Sequence, residues 1–105
     1  YMPDALKATL DIMHTPAADI KIRTSYNLAG MSFNPNEISE AIKQIIPDFS
    51  ITYNPDYRQA IADSWPAIID DSRAREDWGW NPAYTLESMS KDMIDNLRAL
   101  KGQAI

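Results

Sequence analysis

The chain has 105 residues, 45% of them hydrophobic, and a net charge of -5, which bounds it to one domain at most with a small core. The acidity, with ten Lys and Arg scattered along the chain, argues against a nucleic-acid backbone as partner. No Cys is present, so disulfides and thiolate metal sites are excluded, and no apolar run approaches the roughly 18 residues of a membrane span.

Asp4 precedes a helical stretch from Ala5 to Met13 with Leu6, Leu10 and Met13 on one face. Pro16 bars its continuation. Ile20, Ile22, Thr24, Tyr26 and Leu28 then alternate with Lys21, Arg23, Ser25 and Asn27, a period of two that predicts a strand with one buried face. Asn34, Pro35 and Glu37 form the clearest start signal in the chain, a capping box opening a helix. Ile38, Ala41, Ile42, Ile45 and Ile46 follow as its buried stripe, and Pro47 ends it. Phe49, Ile51 and Tyr53 alternate as a second short strand. Strand, helix and strand in this order predict a crossover unit, so the stretches 20–28 and 49–53 are expected to pair in parallel.

Tyr57 to Ala62 is left open between a helical turn and an irregular loop. Asp70-Asp71-Ser72 can cap a short helix carrying Ala74 and Trp78 and closed by Gly79. Thr85 caps a long last helix with Leu86, Met89, Met93, Leu97 and Leu100 on one stripe and Gly102 after it. Trp78, Trp80, Ala74 and Gly79 read as packing and turn residues, and Met89 and Met93 as core stripe.

The residues of dinucleotide redox chemistry are missing from this stretch. Four residues after the tyrosines at 1, 26, 53, 57 and 84 stand Ala5, Gly30, Tyr57, Ile61 and Ser88, so no Tyr has the Lys partner that would lower its pKa. Gly30, Gly79 and Gly102 are too far apart to build a phosphate-cradling loop. His14, the sole His, falls near a helix C-terminus, where a cation is favoured, and reads as a surface or capping residue. Any metal site would have to be all carboxylate, and helix capping explains the adjacent Asp70 and Asp71 better.

Three stretches carry a family resemblance. Tyr1-Met2-Pro3-Asp4-Ala5-Leu6-Lys7-Ala8, Tyr26-Asn27-Leu28-Ala29-Gly30 with Ser32 and Glu37-Ile38, and Asp70-Asp71-Ser72-Arg73-Ala74-Arg75-Glu76-Asp77-Trp78-Gly79-Trp80-Asn81-Pro82 stand in that order. The chain resembles the C-terminal part of the extended short-chain dehydrogenase/reductases, the NAD-dependent epimerase/dehydratase family, over nearly its whole length. Trp78 stands where that signature usually has Leu. The run Arg58-Gln59-Ala60-Ile61-Ala62-Asp63-Ser64-Trp65-Pro66 and the Asp-Trp-Gly-Trp at 77–80 are similar to those of the epimerase-like L-threonine 3-dehydrogenases of the family.

The resemblance implies an α/β fold: a small C-terminal substrate-binding lobe, residues 1–105, with short parallel strands and packed helices. It implies an intact NAD-dependent oxidoreductase that converts L-threonine to 2-amino-3-oxobutanoate. NAD and the Tyr/Lys pair would then belong to an N-terminal nucleotide-binding domain preceding these residues, and the non-Met start fits an internal piece. The intact enzyme is expected to be a homodimer and cytoplasmic, with no nucleic-acid or membrane partner; Tyr1-Met2-Pro3-Asp4 lacks the form of a signal peptide. Arg58, Asp63, Ser64 and Trp65 become candidate substrate-binding residues: a zwitterion needs both charges paired on burial, and Trp65 would exclude water. The bland alternative is that Arg58 and Asp63 form a surface ion pair and Trp65 covers a core edge. Two other readings stand beside this one, a lobe of a nucleotide-sugar epimerase or dehydratase and a free-standing non-catalytic α/β interaction module.

Overall fold

The computed structural model describes residues 1–103 and orders them as α1 (Met2–His14), α2 (Pro35–Lys43), α3 (Arg58–Asp63), α4 (Ser72–Trp78) and α5 (Leu86–Gln103). Capping chemistry accounts for three of these boundaries, while the N-caps of α1, α3 and α4, Asp71 among them, make no side-chain cap bond. Asn34 Oδ1 accepts from the Glu37 N–H at 2.9 Å and Glu37 Oε2 accepts from the Asn34 N–H at 2.8 Å, the reciprocal box expected at the start of α2. Thr85 and Ser88 exchange the same kind of bonds before α5, with the Thr85 N–H donating to Ser88 Oγ at 2.9 Å and the Ser88 N–H donating to Thr85 Oγ1 at 3.2 Å. Gly79 closes α4 with φ +71°, in the left-handed region that glycine enters freely. Gly102, expected to follow the last helix, lies inside α5.

No strand forms among the described residues, so the expected parallel pair at 20–28 and 49–53 is corrected to irregular backbone with no ladder, bent at residues 23–24. The physical reason lies in where the peptide groups go. The N–H groups of Lys21 and Ile22 donate to the Tyr26 hydroxyl at 3.0 and 3.1 Å, folding the first stretch back on itself. The N–H of Ala29 donates to the Asp71 carboxylate. Side chains have taken the place of a ladder, and every residue from 50 to 70 is exposed, so the second stretch has no neighbour to pair with.

The core is small. Ala8, Ala74 and Trp80 are its buried members, with Tyr26 and Trp78 packed against them. Around it, three aspartates tie together distant parts of the chain. Asp4, expected to cap α1, lies within that helix instead, and its carboxylate accepts from the N–H groups of Ala83 and Tyr84 at 2.8 and 3.3 Å. Asp77 accepts from the Tyr26 hydroxyl at 2.8 Å. Asp71 holds Ala29 and, at 2.9 Å, the Arg75 guanidinium. The burial of Asp4 and Ala8 sets the orientation of α1, because residues four apart share a helix face. Leu6, Leu10 and Met13 consequently point the opposite way and are 54–74% exposed. Helix α2 packs on α5, where Ile38, Ile42, Met89, Ile94 and Leu97 line an apolar groove.

The radius of gyration is 17.6 Å, against the roughly 13 Å of a closed domain of about 100 residues. The large exposed side chains include Leu6, Met13, Tyr57, Trp65 and Ile68.

Candidate functional site

The run singled out by sequence begins on a short helix. Arg58 to Asp63 form α3, settling the stretch left open between a turn and a loop, and Ser64 and Trp65 follow in a turn closed by the Ser64 N–H on Ile61 O and the Trp65 N–H on Ala62 O. All four candidate residues are exposed, Trp65 by 69%. The expected alternative pairing of Arg58 with Asp63 is absent. Arg58 turns back on Asp56 instead, with Nε 3.1 Å from both carboxylate oxygens and Nη2 2.7 Å from Oδ2. This forked contact holds the Asp56 carboxyl below, and the Arg58 guanidinium above, their ordinary values. Asp63 Oδ1 accepts from Gln59 Nε2 at 2.7 Å. Ser64 Oγ donates to the Ile61 carbonyl at 2.6 Å.

Each polar candidate therefore has a local partner, and each keeps capacity for another. Asp63 Oδ2 takes part in none of these bonds, and a guanidinium has five N–H donors, of which Asp56 uses those on Nε and Nη2. The indole face of Trp65 stands in the open beside them. The structure places Arg58, Asp63, Ser64 and Trp65 on one short segment. It does not bring them together around a closed pocket.

Two open clefts border this segment. Gln59 joins Thr52, Tyr53, Asn54 and Pro55 around one. Ala67, two residues past Trp65, joins Ser32, Phe33, Asn34 and Glu37 around the other, about 350 Å³ in volume, the lower end of the roughly 300–1,000 Å³ of small-molecule sites. Of the 30–34 loop in that second cleft, the sequence was read for Gly30 and Ser32 as family stretch and for Asn34 as a helix cap, and the loop's share in the cleft has no local signature. His14 sits in the last turn of α1 with Nδ1 2.7 Å from the Leu10 carbonyl, as a capping residue does. Among the described residues no group of His and carboxylates is arranged to hold a metal ion. No helix among them is long and apolar enough to cross a membrane.

No family model matches the chain. Individual proteins do. Over 96 residues, 90% of this chain, it is 45% identical to the mitochondrial L-threonine 3-dehydrogenase of Bos taurus, covering 26% of that protein. It is 45% identical, again over 90% of its length, to an uncharacterized epimerase/dehydratase of Staphylococcus aureus (strain MRSA252), covering 30% of it. Among solved structures, the apo form of the GalE-like L-threonine dehydrogenase from Cupriavidus necator superposes with a TM-score of 0.84 at 56% identity, over 92% of this chain and 35% of that one. The fold and the sequence together make this chain a homologue of a segment of the epimerase/dehydratase-type proteins. Within them its relatives include the GalE-like L-threonine 3-dehydrogenases. The chain spans between a quarter and about a third of the length of these relatives.

Proposed function

We propose that residues 1–105 are the C-terminal, substrate-side lobe of an NAD-dependent L-threonine 3-dehydrogenase, which oxidises L-threonine to 2-amino-3-oxobutanoate. The observation that carries this reading is the 56% identity to a solved L-threonine dehydrogenase, sustained over 92% of the chain. The surface left open in the 50–70 stretch supports it, because a lobe that closes over substrate needs a counterpart on the other side. The exposed Leu6, Leu10 and Met13 of α1 fit the same picture of a lobe seated on a nucleotide-binding domain of its own polypeptide.

The residues present do not fit NAD. Gly30, Gly79 and Gly102 are separated, and only Gly79 has a positive φ, at a helix end, so no cradle for a pyrophosphate is built here. No step of the chemistry is assigned to this chain. Its part is to bind, orient and dry the substrate. Asp63, with one carboxylate oxygen spare, suits the ammonium of L-threonine, and Arg58 suits the carboxylate through its remaining donors. Ser64 can exchange its Ile61 carbonyl for a substrate oxygen. Trp65 is the lid: a broad apolar plate that excludes water and so strengthens each of these charge pairs. A homodimeric, cytoplasmic enzyme is the form proposed for the whole protein.

The 45% identity to an epimerase/dehydratase favours one second reading, the same lobe serving a nucleotide sugar. The test is the full-length protein that carries this segment, assayed for NADH formation with L-threonine and, separately, for conversion of UDP-sugars. NADH formation specific to L-threonine is expected. Turnover of a UDP-sugar with none of L-threonine would replace the first reading with the second.

A further inference from the structure

The loop 30–33 is held at both ends by side chains rather than by a sheet. At its start, the peptide of Ala29 is gripped twice: its N–H donates to Asp71 Oδ2 at 3.3 Å, and its carbonyl accepts from Trp80 Nε1 at 3.0 Å. Asp71 and Trp80 flank α4, one before its first residue and one after its closing glycine. Both are buried, at 9% and 3% exposure. Asp71 is itself held by Arg75 at 2.9 Å, one turn along the helix. At the far end of the loop, the Asn34–Glu37 box fixes the entry to α2. Between these two anchors Ser32 and Phe33 face the cleft that they share with Ala67, just beyond Trp65.

From this geometry we infer that Asp71 and Trp80 are positioning residues, and that the 30–33 loop is a wall of a substrate cleft which it shares with Ala67, the residue that follows the 58–66 run. The inference rests on the L-threonine dehydrogenase reading and adds to it a wall that composition and spacing do not reveal. A loop pinned only by its own backbone could drift. Here α4 transmits its fixed place in the core to a single peptide, and that peptide sets where Ser32 and Phe33 stand. An ångström of misplacement in such a wall is enough to loosen a small substrate, with losses of up to on the order of 100-fold in rate. The ligand class is a small polar amino acid, met by the Ser32 hydroxyl in the cleft; Ala67 is the cleft's link to the segment that carries Asp63 to Trp65.

The test uses the full-length enzyme. Trp80→Phe keeps a ring in the core but deletes the indole N–H, and Asp71→Asn keeps the shape but weakens the grip on Ala29. Each is expected to raise KM for L-threonine by about ten-fold, the effect of one hydrogen bond, with KM for NAD unchanged. Phe33→Ala alters the loop itself at an exposed position (45%), leaves both anchors intact, and serves if the core variants do not fold. It too is expected to raise KM for L-threonine and not for NAD. If wild type oxidises L-threonine and all variants that fold keep its KM for L-threonine, the positioning role is overturned while the dehydrogenase reading stands. If wild type does not oxidise L-threonine, both fall.

Discussion

Residues 71–80 and residues 50–70, which include the 58–66 run, both carry family likeness, yet they behave in opposite ways in the fold. The first stretch is anchored on every side. Trp80 and Ala74 are buried against Ala8, Asp71 holds Ala29, Asp77 holds Tyr26, and Gly79 makes the only left-handed turn among the described residues. The second exposes every residue, including Tyr57, Ile61, Trp65, Ile68 and Ile69. Its polar side chains bond to near neighbours in sequence: Arg58 to Asp56, Gln59 to Asp63, Ser64 to Ile61. A motif can therefore mark two different things. One kind specifies a scaffold packed within this chain, and the other, on the function proposed above, presents groups to substrate.

That contrast can be broken most sharply at Trp80. Trp80→Ala removes the largest buried side chain of the core together with the indole bond to Ala29. It should cost the full-length protein about 3–5 kcal/mol, read as a large drop in the denaturant midpoint. A change of under about 0.5 kcal/mol, the size expected of an exposed site, would mean that 71–80 is no more a scaffold than 50–70.

A smaller effect should appear on the acid side. The Arg75 hydrogen bond, helped by the Ala29 N–H, holds the Asp71 carboxyl below its ordinary 3.8. A folded-state value below the unfolded one means that the charged form stabilises the fold. The contribution is fully present above that ordinary value and is lost as pH falls through the lowered one. The thermal midpoint of wild type should therefore fall more steeply below about pH 4 than that of Asp71→Asn, with the two curves running parallel at neutral pH. Parallel curves throughout the acid range would remove Asp71 from the scaffold.

The helices were legible because their signals are local. Asn34 with Glu37, Thr85, and Gly79 each act within a few residues, and each works in the structure as the spacing predicts. The strands were not. Alternation at 20–28 and 49–53 records which side chains want cover, but a strand also needs a neighbour, and side chains of Tyr26 and Asp71 satisfy the backbone instead. The placement of Asp4 was missed for a related reason. An Asp ahead of a helical run looks like a cap, and nothing nearby shows that Ala83 and Tyr84, far along the chain, need its carboxylate. In the candidate site, residue types at 58–65 were legible through family likeness alone. The Arg58–Asp56 fork was not, because Arg58 has acidic residues on either side in sequence and only the helix start at Tyr57 decides between them.

The most direct test of the claim that the 50–70 stretch is a substrate face compares two tryptophans in the full-length enzyme. Trp65 is 69% exposed at the end of that stretch, whereas Trp78 packs edge-on against Tyr26, with ring centroids 5.9 Å apart, beside the core. The measurement is kcat/KM for L-threonine together with the thermal midpoint for Trp65→Ala and Trp78→Ala. Trp65→Ala is expected to lower kcat/KM by on the order of 100-fold while holding the midpoint, and Trp78→Ala to lower the midpoint while a correctly folded fraction keeps its turnover. Near-normal turnover in Trp65→Ala, with a midpoint lowered as far as in Trp78→Ala, would contradict the account and make Trp65 a packing residue.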